Sequence, residues 1–380
     1  MRNIYDAIVI GVGGVGSAAL WQLASRGARV MGIDRFSPGH DRGSSHGETR
    51  IIRLAYFEHP DYVPLLRRAY QLWADVERQT NQKLFHQVGL LQAGPLDGEV
   101  VSGVLTSARQ HSLVVDTMTP AEAMRRFPAF SVEPGDTAVF EPTAGYLRVE
   151  ACVRACFQLA QQAGAEFREA TAMAWRHEHG EFIVETADGS FCAKKLVVSP
   201  GAWASSLLPE FGQHLVVRRK PLYWFESPQT VHAASAGCPT FLFERGSHAF
   251  YGFPAIDGLG VKAAEHTGGA VLADPLRDRR PEVIDAVDLS QVWAFVKESL
   301  PGVLPHVTRH SVCLYTMSPD GHFVVDRLPA NEHVAICAGL SGHGFKFVTV
   351  LGQILADLTL AGKTELPIAF LNSTRFTRPR

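Results

Sequence analysis

The sequence predicts an α/β (α+β) protein in two parts, a Rossmann-like unit and an interleaved antiparallel sheet, and three observations carry that prediction. First, a β-prone run over residues 5–10 leads straight into Gly11-Val12-Gly13-Gly14-Val15-Gly16 and an apolar helical pattern over 15–25. Second, another strand-like run, 29–33, ends on Asp34 and completes a β-α-β unit of the expected length. Third, the stretch 216–260 mixes aromatic runs with Pro and Gly and shows no β-α alternation, so it reads as antiparallel strands.

Each element has a local reason. The first run lacks polar alternation, as a strand buried on both faces does. Within the glycine motif, Gly11 permits the tight turn, Gly13 lets a pyrophosphate approach the backbone, and Gly16 lets helix and strand pack closely. Phosphate there meets free amides and the positive end of the helix dipole. Asp34 is placed to accept hydrogen bonds from ribose hydroxyls. The motif by itself does not separate FAD from NAD. Helical periodicity covers 65–79, and an amphipathic helix over 151–163 is closed by Gly164. Two strands, 181–186 and 191–199, are predicted about the Asp188-Gly189 turn. A helix over 288–300 precedes strands at 310–315, 322–326 and 334–338. Gly339, Gly342 and Gly344 then lead into a last helix over about 347–360.

Bulk properties exclude several classes of function. A 380-residue chain that is 46% hydrophobic can bury a large core without disulfides or metals. Its net charge of −2 offers no field for nucleic acid or an anionic membrane. The six cysteines lack paired zinc-ligand spacing and sit in apolar stretches, which suits reduced thiols and a cytoplasmic location. No apolar run reaches the roughly 20 residues a membrane helix needs. No metal site is expected.

Several residues could carry chemistry. Residues 43–53 read Gly43-Ser44-Ser45-His46-Gly47-Glu48-Thr49-Arg50-Ile51-Ile52-Arg53. Arg50 and Arg53 lie three apart among Ile and Leu, so a solvated loop and a fixed anion site stay equally open. Lys262, within Gly260-Val261-Lys262-Ala263-Ala264, reads by itself as an ordinary strand lysine, and Tyr251 and His266 are equally ambiguous. Cys313, in mid-strand beside Tyr315, reads by itself as a buried hydrophobe. The turn Ser341-Gly342-His343-Gly344-Phe345-Lys346-Phe347 can bring a helix N-terminus, His343 and Lys346 toward that strand.

These segments together resemble the monomeric sarcosine oxidase family, whose relatives include N-methyl-L-tryptophan oxidase and pipecolate oxidase. The similar stretches are the glycine motif, 43–53, Tyr62-Val63-Pro64-Leu65, Glu185-Thr186-Ala187-Asp188-Gly189, Gly201-Ala202-Trp203, 251–254, Cys313-Leu314-Tyr315-Thr316 and 339–347. The pairing of C-x-Y-T with S-G-H-G-F-K-F is the most specific of them. The resemblance implies a Rossmann-like FAD-binding domain (1–85, 141–215 and 306–380) with an interleaved antiparallel-sheet substrate domain (86–140 and 216–305). It implies FAD, held covalently through Cys313, on Gly11, Gly13, Gly14, Gly16, Asp34, Ser44, Arg50, Gly342, His343, Gly344 and Lys346. Arg53 and Lys346 would clamp the substrate carboxylate, with Tyr315 and Leu242 beside it. His46 and Arg50 would tune the flavin, Lys262 would face oxygen, and Tyr251, His266 and Tyr315 would line the amine pocket. The activity implied is oxidation of an N-methyl-L-amino acid by molecular oxygen in a cytoplasmic monomer, giving the primary amino acid, formaldehyde and peroxide. Ser45, where many relatives have a second histidine, and Leu242, in place of a methionine, leave the substrate side chain open, and 186–189, 193–195, 207–210 and 373–376 lean toward the N-methyltryptophan branch. A cyclic imino acid oxidase, a dehydrogenase that does not use oxygen, and a non-enzymatic nucleotide-binding module are the alternatives.

Overall fold

The computed structural model describes residues 4–376; residues 1–3 and 377–380, the ends of two segments grouped with the cofactor unit, lie outside the described residues. A six-stranded sheet has the order Glu166–Glu169, Val30–Asp34, Ala7–Ile10, Leu196–Val198, Asn331–Ala338, Val324–Leu328. Its first five strands are parallel and the last pair is antiparallel. Helices Gly14–Ala24, Tyr62–Thr80, Val149–Gln162 and Val348–Ala361 share one hydrophobic core with this sheet. The other face meets a four-stranded sheet that includes Glu181–Thr186 and Gly189–Ala193.

The predicted 191–199 strand is in fact two strands in different sheets. Gly189–Ala193 closes the hairpin, and Leu196–Val198 enters the parallel sheet between Ala7–Ile10 and Asn331–Ala338. The break falls at Lys194 and Lys195, whose ammonium groups reach Asp6 and the Thr359 carbonyl. A charged pair at this point suits a chain leaving one sheet for another, since neither lysine is easily buried in a continuous strand.

The second large layer is an eight-stranded sheet, in the order Val307–Met317, Val216–Phe225, Val261–Glu265, His248–Phe253, Thr240–Arg245, Leu90–Gly94, Thr137–Glu141, Asp116–Met118. It is antiparallel except where Thr240–Arg245 runs parallel to Leu90–Gly94. Val307–Met317, which the sequence groups with the cofactor segments, forms the edge of this sheet. One sheet face packs on the Ala286–Ser299 helix through Phe241, Phe243, Phe250 and Phe295. Phe250 and Phe295 stack with centroids 4.6 Å apart.

Register decides what the opposite face presents. Directly paired residues in a sheet point to the same side, and so do residues two apart on one strand. Cys313 pairs with Lys220, Trp224 with Lys262, and Tyr251 with both Leu242 and Ala264. Cys313, Tyr315, Lys220, Trp224, Lys262, Tyr251 and Leu242 therefore share one face. That face looks toward the Rossmann layer. Among the described residues no helix is long and apolar enough to cross a membrane, and no cluster of three or more metal-ligating side chains occurs.

Candidate active site

A cleft of about 370 Å³ lies between the two layers. Asp34, His40 and Met173 line one end, and Arg50, Cys313, Tyr315 and Thr316 line the other. The glycine motif has a distinct local geometry at each of its three positions. Gly11 has φ +86°, and a Cβ there would lie 2.5 Å from the Ser199 carbonyl oxygen. A Cβ at Gly13 would meet nothing within 4 Å, so this backbone faces open space in the cleft. A Cβ on Gly16 would fall 1.7 Å from the Gly11 oxygen. No side chain caps the helix that starts at Gly14, which leaves its first amides free for an anion. Asp34 accepts hydrogen bonds from the Val12 amide (2.6 Å) and the Phe36 amide (3.0 Å) while lining the cleft.

At the other end, the Cys313 thiol is buried yet lines the cleft. Arg50 donates to its sulfur at 3.0 Å, and the thiol donates to the Ser44 carbonyl at 3.2 Å. The Thr316 hydroxyl is buried there without a partner. Gly342 (φ +83°) passes under the Tyr315 ring, where a Cβ would approach a ring carbon to 2.2 Å. Gly342, Gly344, Gly14 and Ser44 all stand in the cleft wall, as the resemblance implies.

A second, smaller chamber of about 40 Å³ adjoins the cleft. Arg50, Tyr315, Gly342 and Phe345 line both spaces. The chamber is completed by two buried basic side chains, Arg53 and Lys346, together with Ile51, Glu58, Leu242, Tyr251, His266 and His343. Arg53 donates to Glu58 at 2.5 Å, and its guanidinium carbon lies 4.5 and 4.7 Å from the rings of Tyr56 and Phe57. Its Nε and the Glu58 Oε1 have no partner. Burial raises the Glu58 carboxyl, but Arg53, His343 and Lys346 outweigh it and hold the group down at about 2. Lys346 Nζ donates to the His343 carbonyl at 2.8 Å; burial and then Arg53 push its pKa well down, with Glu58 opposing. His343 lies in this chamber's wall, not in the cleft's. Its Nδ1 meets the Tyr56 hydroxyl at 2.6 Å and its Nε2 the Gly321 carbonyl at 2.9 Å. Burial, above all, lowers His266 to about 3 and His343 to about 4, so both rings are neutral near pH 7.

Lys262 and His46 form part of neither cavity wall. Lys262 is fully enclosed, and its Nζ donates to the Gly47 carbonyl (2.5 Å), the Thr49 carbonyl (3.1 Å) and the Thr49 hydroxyl (3.0 Å). An ordinary exposed strand lysine would make none of these bonds. His46 contacts Ser311 at 3.3 Å, and its Nε2 is buried without a partner. Burial, then Arg50 and Arg279, lower its pKa well below the usual value. Arg50 stays a guanidinium cation despite its burial, as arginine does across the physiological range.

Sequence reasoning missed Glu58, Phe345 as a wall, and Arg279, whose guanidinium reaches the Asp41 carbonyl. Glu58 sits five residues after Arg53, where the apolar run Leu54-Ala55-Tyr56-Phe57 gives way to His59-Pro60-Asp61, and such a boundary reads as the start of a solvated turn. Its partner is set by a turn.

Comparison with known proteins bears on the whole chain. The model of the family described as FAD dependent oxidoreductase matches residues 6–358. The monomeric sarcosine oxidase of Bacillus sp. (strain B-0618) is 38% identical over 379 residues, covering 99% of this chain and 97% of that protein. The N-methyl-L-tryptophan oxidase of Citrobacter koseri is 35% identical over 376 residues, covering 98% of this chain and all of that one. Among solved structures, NikD, an unusual amino acid oxidase essential for nikkomycin biosynthesis, superposes with TM-score 0.85 at 26% identity over 98% of each chain. L-proline dehydrogenase from P. horikoshii, at 22% identity and TM-score 0.79, shares the fold.

Proposed function

The chain belongs to the FAD dependent oxidoreductase family, among the monomeric sarcosine oxidases and N-methyl-L-tryptophan oxidases, and from this we propose that it is an FAD-dependent oxidase of N-methyl-L-amino acids. The products are the primary amino acid, formaldehyde and hydrogen peroxide. The observation that carries this reading is the chamber that holds Arg53 and Lys346 and opens on the cleft beside Cys313, with Arg50, Tyr315, Gly342 and Phe345 common to both.

The residues present fit FAD. The open backbone at Gly13 and the uncapped helix suit its pyrophosphate, and the unpartnered Thr316 hydroxyl offers a polar group inside the cleft. Cys313 is the residue we assign to hold the flavin covalently: its sulfur lines the cleft and accepts a hydrogen bond from Arg50 at 3.0 Å. When bound, FAD accepts a hydride equivalent from the amine and passes electrons to oxygen.

The chain's own part is to bind, orient and exclude water. A substrate carboxylate sits between Arg53 and Lys346 and takes the free Nε of Arg53, while Glu58 keeps its bond to the same guanidinium. That anchor turns the N-methyl carbon toward the cleft, and such positioning supplies several kcal/mol, up to about 7–11 in the best intramolecular cases. Tyr251, Tyr315, Leu242 and Phe345 keep water out. Neutral His266 leaves the amine without a strong acid beside it. Lys262, held on the Gly47 and Thr49 carbonyls outside both cavity walls, is the residue we assign to stabilising charge in the oxygen reaction.

The small chamber supports a short substrate such as sarcosine over N-methyl-L-tryptophan, against the leaning of segments such as 207–210. Six unpaired cysteines support a reducing cytoplasmic setting, and a monomer follows the name of the relatives. We assign segments 1–85, 141–215 and 306–380 to the FAD-binding part and 86–140 with 216–305 to the roof, except that Val307–Met317 forms the edge strand of the roof's sheet. The deciding experiment measures peroxide and formaldehyde together with sarcosine, N-methyl-L-tryptophan and L-pipecolate as substrates. Equal yields of both products from an N-methyl amino acid are expected. Peroxide without formaldehyde would transfer the assignment to cyclic imino acids, and reduction without peroxide to a dehydrogenase.

A further inference from the structure

Lys262 is a buried lysine with no carboxylate on its nitrogen among the described residues: its three hydrogen bonds there go to a carbonyl or hydroxyl of Gly47 and Thr49. The residue between those two is Glu48, a non-glycine residue at φ +74°. Such a backbone is strained for an L-residue and persists only where its surroundings impose it. Here the strain lets Gly47 and Thr49 both turn their carbonyls onto Lys262 while the Glu48 side chain leaves in another direction. The Glu48 carboxylate accepts from the Trp224 indole N–H at 3.1 Å and pairs with Arg148 at 3.1 Å. The Trp224 ring in turn lies 5.1 Å from Lys262 Nζ, and Phe253 packs at 4.6 Å. An indole that donates to a carboxylate is polarised, and its face becomes a better partner for a cation.

We infer that Glu48, acting through Trp224, is the positioning residue that holds Lys262 in its ammonium form, and so sets the alkaline limit of the oxygen reaction. This rests on the assignment of Lys262 to that reaction. The charges facing Lys262 agree with the inference. Burial, then Arg50 on the neighbouring strand, lower its pKa; Glu48, Glu150 and Cys313 oppose them. His46 is a further basic group in range. Glu150 is occupied by the Gly47 and Glu48 amides (2.8 and 3.1 Å), which leaves Glu48 as the principal counter-charge. Glu48 itself faces Arg148, Trp224, Lys262 and the exposed Asp257. Burial and the adjacent Asp257 carboxyl raise its pKa, while Lys262 and Trp224 oppose.

The test follows flavin reoxidation by oxygen as a function of pH in the holoenzyme, and in parallel the pH titration of the bound flavin's visible absorbance. In Glu48→Gln both alkaline transitions are expected to move down by about one pH unit, about a tenfold loss of rate above the new limit. Trp224→Phe, which keeps a ring but removes the N–H, should move them part of the way, and Glu48→Asp should restore them. A Glu48→Gln rate that is lower by the same factor at every pH, with an unmoved absorbance transition, would overturn the inference. Lys262→Met separates the two assignments: if it keeps the wild-type reoxidation rate, the lysine's role fails first.

Discussion

Arg53 and Glu58 show how strongly one residue's meaning depends on burial. Exposed, such a pair contributes about 0–1 kcal/mol; enclosed, removal of either partner leaves an uncompensated charge and costs about 3–5 kcal/mol. A substrate carboxylate can use the free Nε of Arg53 without breaking this pair. At the same scale, Cys313→Ser should leave the flavin extractable from acid-denatured protein, and a precipitate that stays yellow would rule out the thioether. The buried histidines make a pH prediction with a definite sign. Unfolded, His266 and His343 take up protons near their ordinary value of 6.5; folded, they do so only near about 3 and about 4. The unfolded chain therefore binds more protons below 6.5, and stability falls with pH by up to about 1.4 kcal/mol per unit for each histidine. Glu58, held down at about 2, adds a loss of the same sign as pH falls from its ordinary 4.5. Urea midpoints between about pH 7 and about pH 5 should decline, and His266→Gln should flatten the curve. A flat wild-type profile would contradict the burial of these rings.

At the level of elements, two helices set the cleft. Gly14–Ala24 and Val348–Ala361 cross so closely that a Cβ on Gly352 would lie 2.6 Å from the Ala18 carbonyl carbon and Cβ. Gly352→Val should push them apart, costing about 1–3 kcal/mol of stability, and should weaken FAD binding because both helix N-termini face the cleft. Thermal midpoint and flavin content together check this; a loss of stability with full flavin loading would show that the helices can separate without disturbing the cradle. Element type was legible where the pattern was long, as in the Gly14–Ala24 and Val348–Ala361 helices and the Gly11 turn between strand and helix. It was less legible at 191–199, where one apolar run served two sheets because the break was made by tertiary contacts of Lys194 and Lys195. The parallel pairing of Thr240–Arg245 with Leu90–Gly94 left no sequence mark either, since pairing partners so distant in the chain have no local signature.

For the molecule as a whole, the last 75 or so residues enter both layers. Val307–Met317 edges the eight-stranded sheet, and Asn331–Ala338 lies inside the six-stranded one. A fragment ending at residue 305 should therefore lack a cooperative transition and bind no flavin, while the full chain unfolds with both layers coupled. A soluble fragment with a sharp melt would mean that the two layers are more independent than their shared strands imply.

The sequence by itself determined the nucleotide cradle, because a glycine turn between strand and helix is local chemistry, and through its likeness to known oxidases it pointed to Cys313, Arg53 and Lys346. Only the tertiary structure decided what faces what. The register of the eight-stranded sheet put Cys313, Tyr315, Tyr251 and Lys262 on one side, a turn buried Glu58 against Arg53, and a strained residue at 48 aimed two carbonyls at a lysine. Side-chain direction in a sheet depends on partners far away in the chain, and the protonation of a buried charge depends on everything around it; neither is written in the order of neighbouring residues.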